Sequence, residues 1–184
     1  MPTTNKQKEK RIHYVDNKVF FDAMVKYKDA VNAAKKDEPK PRIPDYIGEC
    51  FIKIATHLSY KPNFLNYTFR DDMIADGIEN CIQYIDNFDP ERTNNPFAYF
   101  TQIIFFAFLR RIQKEKKELY IKYKSLERMN IEEDLRNEGK GKGKTDVLRD
   151  ESMRNDFISA FEESMAEQKR KLKESKLRLM KEGR

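Results

Sequence analysis

The stretch PFAYFTQIIFFAFLRRIQKEKKELYIKYK, Pro96–Lys124, constrains the fold of this chain most strongly. It has five aromatic residues within positions 96–106, and its longest unbroken apolar run, Ile103–Leu109, has seven residues. A membrane-spanning helix needs about 18–20 apolar residues, so this run is too short to cross a bilayer. Arg110 and Arg111 follow without a turn signal, which argues against an isolated strand. We therefore predict a helix whose first half is buried and whose second half meets a negatively charged partner.

Charge is distributed unevenly along the 184 residues, whose formal net charge is +6. Residues 110–124 hold seven basic and two acidic side chains, a local charge of +5. Residues 169–184 hold eight basic and two acidic ones, a local charge of +6. Such clusters indicate a polyanionic partner, although a solvated helix face is the commoner explanation of any single cluster. Charged residues make up 37% of the chain and hydrophobic ones 39%, so we expect part of it to be extended or ordered only on binding.

Apolar residues at a spacing of three and four predict five helices. Asp16 and Asp45 are the expected N-caps of the first two, and three prolines within 39–44 predict an extended linker between them. Residues 1–11 are predicted to be a disordered lead, and GKGKGK at 139–144 a flexible linker. The apolar stripes of the five helices are Val19/Phe20, Met24, Tyr27 and Val31; Ile47, Phe51, Ile54/Ala55 and Leu58; Ile74, Ile78, Cys81/Ile82 and Ile85; Phe97, Phe100, Ile104, Phe108 and Ile112; and Phe157, Phe161, Met165, Leu172 and Leu179.

The absence of a hairpin signal and of a repeat makes the predicted fold class all-α. We expect a leading segment with a helix and a proline-rich linker over 1–44, a compact helical domain over 45–124, and a flexible linker with a charged helix over 125–184. That last helix is so charged that we expect it to pack on a partner or project into solvent. Cys50 and Cys81 form no CxxC pair, so neither a disulfide framework nor a zinc site is indicated, and Cys81 is expected in the core. No signal peptide is visible, so the expected compartment is a reducing cytoplasm.

A second face of the fourth helix carries Tyr99, Ile103, Phe106 and Arg110 and continues to Lys114. Aromatic rings beside arginine and lysine suit single-stranded nucleic acid, because rings stack on bases while cations hold the phosphates. The alternative is that every aromatic residue here is core and the charges are ordinary helix surface, which is commoner for an aromatic run taken alone.

The reactive side chains do not form a catalytic arrangement. The two histidines, His13 and His57, have no neighbouring nucleophile motif, and no phosphate-binding glycine loop is present. Asp72, Asp76 and Glu79 share one helix face and have the oxygen ligands that Mg²⁺ and Ca²⁺ prefer. The Glu-x-x-His pairs of helical di-metal sites are missing, so an acidic surface that is solvated or meets a basic partner is the commoner explanation. We expect no enzyme, no cofactor and no metal.

Two blocks at a fixed spacing point to a family. Asp72-Met73-Ile74 and Asp76-Gly77 are followed eleven residues after Gly77 by Phe88-Asp89. A further eleven residues lead to the second block, which holds Tyr99, Thr101, Ile104, Ala107 and Arg110. The pattern resembles region 2 of bacterial sigma factors, the subunits that direct RNA polymerase to promoters. The resemblance covers about residues 45–124 and implies a compact helical domain.

Shorter strings narrow the resemblance. YVDNK, MIADGIE, NFD, NPFAY and RIQKEKKE are similar to the late-transcription sigma factors of T-even-like phages, and several of them are not general features of sigma factors. The resemblance implies a promoter-specificity factor for late phage genes, acting in the cytoplasm of the infected bacterial host. Its implied partners are host core RNA polymerase and promoter DNA, together with a late-transcription coactivator and a sliding clamp, and no membrane.

The resemblance also implies two sets of binding residues. In the family, the helix matching 72–83 binds the clamp-helices coiled coil of the polymerase's largest subunit, which gives the acidic stripe a basic partner without a metal. The helix matching 99–117 faces a minus-ten-like element, where bases leave the stack and cations position the phosphates without reading them. The implied polymerase-binding residues are Asp72, Ile74, Asp76, Glu79, Asn80 and Gln83, and the implied DNA-binding residues are Tyr99, Gln102, Ile103, Phe106, Arg110, Arg111, Lys114, Lys116 and Lys117.

Three departures limit what the resemblance carries over. Gln102 and Ile103 stand where primary sigma factors have two tryptophans. Phe106 and Leu109 replace the residues that read the upstream edge of the element. The family's base-reading contacts are therefore not transferred to this chain, and Tyr99 is the one aromatic residue whose role is transferred. The chain ends KLRLMKEGR, which is basic where the subfamily's clamp-binding peptide is acidic and hydrophobic, so clamp binding through this segment is not supported.

Two alternative functions remain open at this stage. A helical protein on the same scaffold that binds only polymerase would act as a regulator or decoy. A free-standing nucleic-acid binder would bind DNA without polymerase, and the acidic stripe argues against this second alternative.

Overall fold

The computed structural model describes residues 14–34, 39–128 and 144–182. Within these ranges every regular element is helical and none is a strand, so the all-α prediction is confirmed. The predicted lead at 1–11 and the linker glycines at 139–143 lie outside the described residues, as does His13. No helix in the described ranges is long and apolar enough to cross a membrane. The elements are α1 (Asn17–Ala33), α2 (Asp45–Ser59), α3 (Arg70–Gln83), a 3₁₀ turn (Ile85–Asn87), α4 (Pro96–Arg128) and α5 (Lys144–Glu182).

The chain divides into two compact units, Met1–Ile112 and Gln113–Arg184. The first unit contains α1, α2, α3 and the first half of α4, and one hydrophobic core runs through all four. Phe100 of α4 lies near its centre, with its ring centroid 4.6 Å from that of Phe51 and 5.8 Å from that of Phe20. The ring of Phe88, just before α4, lies 5.9 Å from that of Phe100. Burial of these rings is the main stabilising contribution of the unit, because each ring removes a large apolar area from water.

The stripes predicted for α1, α2 and α4 agree with the observed burial except at Val19, Val31 and Phe97, which are not buried. Phe20, Met24 and Tyr27 of α1 are buried, whereas Val19 is exposed. All the predicted stripe residues of α2 are buried. In α4 the buried residues of the first unit are Pro96, Phe100, Ile104, Ala107, Phe108 and Ile112, whereas Phe97 is half-buried.

The N-terminus of α1 is capped as predicted, and that of α2 is not. The carboxylate of Asp16 accepts hydrogen bonds from the backbone amides of Lys18 and Val19, at 2.8 and 3.2 Å, and so satisfies two amides of the first turn. For α2 the N-cap is Pro44, without a side-chain hydrogen bond, and Asp45 is the first helical residue. A carboxylate in the first turn still interacts favourably with the positive end of the helix dipole.

The predicted buried face of α3 was wrong in part. Met73, Gly77 and Cys81 face the core, with Ile85 just after the helix, while Ile82 is exposed. Ile74 and Ile78 are only half-buried. Hydrophobicity alone favours the isoleucines, but Gly77 lies where Ile104 and Phe108 leave little room for a side chain, and this close contact favours burial of the glycine side of α3.

The second unit is a helix pair formed by the last part of α4 and by α5. The ring of Tyr120 stacks on that of Phe161 at 4.7 Å, and the ring of Tyr123 lies edge-on to that of Phe157 at 5.6 Å. Ile158 is buried beside them. Beyond this contact the rest of the predicted α5 stripe, Met165, Leu172 and Leu179, is exposed.

Candidate functional site

The geometry of the candidate site depends on the close contact between α3 and α4 at Gly77. A Cβ atom at this position would lie 3.0 Å from Cγ2 of Ile104 and 3.1 Å from a ring carbon of Phe108. Glycine in a helix interior costs roughly 0.5–1 kcal/mol relative to alanine, and here its missing side chain lets the two helices approach. The contact brings the polar edge of α3 beside one edge of α4.

Arg111 of α4 joins the two helices at this edge. Its guanidinium lies 3.0 Å from a carboxylate oxygen of Asp72 and 3.4 Å from one of Asp76. The side chain of Arg111 is only 19% exposed, whereas Asp72 retains 59% exposure and Asp76 32%. The two acidic residues are one turn apart on α3, so a single arginine reaches both. The predicted phosphate-binding residue Arg111 therefore has partners within its own chain, which the sequence analysis did not foresee.

Two hydrogen bonds in series hold the side chain of Arg110 against α3. The side-chain amide of Asn80 donates to the backbone carbonyl of Asp76 at 2.6 Å, which fixes the orientation of the amide. The amide oxygen of Asn80 then accepts a hydrogen bond from the guanidinium of Arg110 at 2.6 Å. Arg110 is nevertheless exposed, and a guanidinium has five donors, so it can bind a further acceptor such as a phosphate.

The other residues implied in polymerase binding lie at different places on α3. Glu79 and Gln83 are exposed and continue the edge of Asp72 and Asp76 at helical spacing. Ile74 is half-buried and packs against the core. Because residues two apart on a helix do not face the same side, Ile74 lies away from the acidic edge.

The face of α4 implied in DNA binding is aromatic and polar in the first unit. Gln102 and Phe106 are exposed, and Phe106 keeps 48% of its surface in solvent. Ile103 and Tyr99 are half-buried, and the ring of Tyr99 packs edge-on against those of Phe88 and Phe100, at 5.4 and 5.1 Å. Phe106 thus presents more free ring surface than Tyr99 does. We define the α4 face as Tyr99, Gln102, Ile103, Phe106 and Arg110.

Burial raises the pKa of two groups at or near this face. It raises the pKa of the Tyr99 phenol, with a smaller contribution from Cys81. Burial raises the pKa of the Cys81 thiol to about 12, so the thiol stays protonated and is a poor nucleophile. This agrees with the expectation that Cys81 is a core residue, and both cysteines are free and buried.

The three lysines implied in DNA binding, Lys114, Lys116 and Lys117, belong to the second unit and are all exposed. Lys114 lies 4.0 Å from Glu118, one turn later on the same helix. Lys116 and Lys117 form no ion pair among the described residues, so their charges are available to an anion.

A signal for the position of Arg111 was present in the sequence. Arg111 follows Ile104 by seven residues and Phe108 by three, so the periodicity places it on the buried stripe. A charged residue on a buried stripe needs an opposite charge, and the paired acids of the preceding helix supply it. Sequence alone does not give the register between two helices, which decides that Asp72 and Asp76 are those acids.

No group of metal-ligating side chains that could hold an ion occurs among the described residues. No protein-family model matches the chain, and no curated protein matches it at a significant level.

Proposed function

We propose that this chain is a sigma-like promoter-specificity factor for late phage genes. It binds host core RNA polymerase through α3 and helps to recognise and melt an A·T-rich, minus-ten-like element through α4. The observation that supports this most is the α3–α4 contact at Gly77. It carries an acidic edge on one helix and an aromatic, basic face on the other, and the proposal assigns a protein surface to the first and a strand of DNA to the second.

The acidic edge of α3 suits a basic protein helix, such as the clamp helices of the polymerase's largest subunit. Glu79 and Gln83 are exposed, and Asp72 retains more than half of its surface although it pairs with Arg111. Charge complementarity of this kind steers association and fixes the register of the partner.

The α4 face suits unstacked bases. A base that leaves the duplex costs a few kcal/mol, and stacking on a protein ring returns about 1–3 kcal/mol per base. Phe106 offers such a ring, and Arg110 lies one turn further along the helix, where a cation can hold the adjoining phosphate. The proposal also assigns phosphate contacts to Lys114, Lys116 and Lys117, the exposed lysines of the second unit.

In this proposal Arg111 acts as a positioning residue rather than a DNA contact. Its ion pairs with Asp72 and Asp76 hold α3 against α4. They therefore keep the polymerase-binding edge and the α4 face in one arrangement.

A second function is favoured by one specific observation. Both arginines at the start of the basic stretch are bound to side chains of α3, Arg110 to Asn80 and Arg111 to Asp72 and Asp76. A protein whose arginines are engaged internally would bind polymerase without opening DNA. This is the regulator or decoy function on the same scaffold.

Polymerase binding is tested by charge reversal on α3. Glu79→Lys should abolish co-elution with purified core polymerase, because it reverses the charge of an exposed residue on the acidic edge. Asp71→Lys makes the same change at an exposed acid about a quarter turn around α3 from Glu79 and outside the acidic edge, and it should leave co-elution intact. We avoid Asp72 and Asp76 because their reversal would also disturb the contact with Arg111. Equal binding by both variants and the unmodified chain would contradict the proposal.

Promoter opening is tested on the α4 face with permanganate, which modifies unpaired thymines. Phe106→Ala should lower the reactivity of thymines in the element about tenfold while polymerase binding is retained. Ile52→Ala removes a side chain of α2 that is exposed to a similar degree, and should leave opening unchanged. If the Phe106→Ala variant still opens the promoter, Phe106 has no stacking role. If the unmodified chain binds polymerase but the promoter stays closed, the regulator function is favoured.

A further inference from the structure

In the second unit, α5 carries a line of apolar side chains, and α4 covers only the first part of that line. Along α5 an apolar residue recurs every seventh position, at Ile158, Met165, Leu172 and Leu179. In heptad terms these are the a positions and Phe161 is the first d position, whereas the next d positions, Gln168 and Ser175, are polar. Beyond Phe161 the apolar line is therefore one residue wide. We call this line the α5 seam.

The first part of the α5 seam is packed against α4. Ile158 is only 7% exposed, and the ring of Phe161 stacks on that of Tyr120. Glu162 flanks this part of the seam and pairs with α4, since it accepts a hydrogen bond from the Tyr120 hydroxyl at 2.9 Å and lies 3.3 Å from the ammonium of Lys124. The molecule thus shows what this seam binds: an apolar, aromatic helix face whose flank carries the opposite charge.

The remaining part of the α5 seam is open. Exposure rises from 40% at Met165 to 58% at Leu172 and 69% at Leu179. Three apolar side chains at seven-residue spacing, with the polar Gln168 and Ser175 between them, therefore lie in solvent. A partner helix would remove this surface from water, as α4 does for the first part.

The flanks of the open part are basic on both sides. In heptad terms the e positions are Lys169 and Lys176, and the g positions are Lys171 and Arg178. Lys171 pairs with Glu167 on its own helix at 2.7 Å. Lys169 and Lys176 pair with no carboxylate among the described residues. Where Glu162 flanks the covered part with a negative charge, the open part has only positive ones.

These charges decide what can bind. A second copy of α5 would place lysines and arginines opposite lysines and arginines in either orientation, which is destabilising. Duplex DNA would match the charge but would leave the apolar seam in water, because a phosphate backbone has no apolar groove for leucine side chains. A helix with an apolar seam and acidic flanks satisfies both requirements.

We propose that residues 165–179 of α5 are a docking surface for an acidic amphipathic helix of a partner protein, which extends the coiled-coil seam that α4 covers. The surface does not depend on the function proposed above for α3 and α4.

The probe for this proposal is a synthetic peptide of three heptads with Leu at a and d and Glu at e and g. Isothermal titration with the full chain should show saturable binding at a one-to-one ratio. The same peptide with Lys at e and g should not bind. Leu172→Glu should weaken binding of the acidic peptide about tenfold or more, because it places a charge in the seam.

Leu177→Glu is the matched control. Leu177 is exposed to nearly the same degree as Leu172, at 53%, but it lies outside the seam. It should leave binding within about twofold of the unmodified chain, which the same affinity arithmetic equates with a small change in free energy. Circular dichroism of both variants checks that α5 remains helical.

Three results would overturn the proposal. The first is no binding of the acidic peptide by the helical, unmodified chain. The second is an equal loss of peptide affinity in Leu172→Glu and Leu177→Glu, which would mean that only charge matters. In that case a 20-base-pair DNA duplex should bind the chain, and the double variant Lys169→Glu with Lys173→Glu should weaken that binding. The third is sedimentation equilibrium that shows a dimer which Leu172→Glu dissociates, since the seam would then bind a second copy.

Discussion

Two helix pairs in this chain are built from the same kinds of contact, but they differ in how much of their apolar surface the partner helix covers. We call the fully covered pair closed and the partly covered pair open. The α3–α4 pair has a glycine against two large apolar side chains and an arginine that bridges two carboxylates at its edge. The pair formed by the end of α4 and α5 has stacked rings and a bridging glutamate, but its seam continues into solvent. A closed pair fixes the shape of a binding surface, whereas an open pair leaves apolar surface for a partner.

The comparison predicts, first, that the same truncation costs very different amounts in the two pairs. Phe100→Ala should raise the population of locally open α3 and α4 by an amount that corresponds to about 3–5 kcal/mol, because the ring is fully buried. Phe161→Ala should cost about 1 kcal/mol, because its ring is only half-buried in the pair with Tyr120. Hydrogen exchange resolved by segment measures both. Equal costs would remove the distinction between a closed and an open pair.

The second prediction concerns the glycine at the closed contact. Gly77→Val should destabilise the first unit by about 1–3 kcal/mol, because its side chain would overpack against Ile104 and Phe108. Gly48→Ala is the contrasting substitution, since a Cβ there has nothing within 4 Å, and it should stabilise α2 by about 0.5–1 kcal/mol. Urea denaturation followed by circular dichroism tests both. A neutral Gly77→Val would show that α3 and α4 can separate without cost.

The third prediction concerns the bridging arginine. Arg111→Gln should destabilise the first unit by about 1 kcal/mol and should make its stability less sensitive to salt, because it leaves Asp72 and Asp76 without their cation. Arg92→Gln breaks a pair with Asp89 in which the arginine is 88% exposed, and should change stability by less than about 0.5 kcal/mol. The two variants are compared by urea denaturation at low and at high salt. An equal effect of both would mean that burial adds nothing to the Arg111 pairs.

The smallest effect is expected from acid, in the open pair. The hydrogen bond from Tyr120 and the ion pair with Lys124 lower the pKa of the Glu162 carboxyl from its ordinary value of 4.5. Because the folded pKa is the lower one, the stabilisation is present above pH 4.5 and is lost as the pH falls through the folded value. The ring resonances of Phe161 should therefore shift on acidification. Glu162→Gln should abolish that shift, whereas Glu163→Gln, an exposed neighbour, should retain it.

Periodicity was sufficient to predict α1, α2 and the buried stripe of α4, because their apolar residues are large and recur at helical spacing. It failed on α3, where Gly77 and Cys81 are buried while Ile82 is exposed. Hydropathy ranks isoleucine above glycine, but the shape of the contact with Ile104 and Phe108 selects the smaller residue. The local pattern of one helix does not contain that shape.

The sequence predicted one surface of the candidate site but not the contact that joins it to the next helix. The spacing of Asp72 and Asp76 predicted one acidic edge on α3, and the structure shows it. The partner of that edge within the chain was not predicted, because Arg111 is distant in sequence and its register against α3 follows from the packing of two helices. The role of the α4 face in DNA binding stays a prediction.

The most direct test of the proposed function is in vitro transcription, with mapping of the transcript 5′ ends, using purified bacterial core polymerase and this chain. The template is negatively supercoiled and carries an A·T-rich, minus-ten-like element, and a second template with the element scrambled is the control. Transcripts are expected to start at one position and to disappear when the element is scrambled. Co-elution with core polymerase without any specific transcript would contradict promoter specificity and leave the regulator function, and failure to bind core polymerase would contradict both.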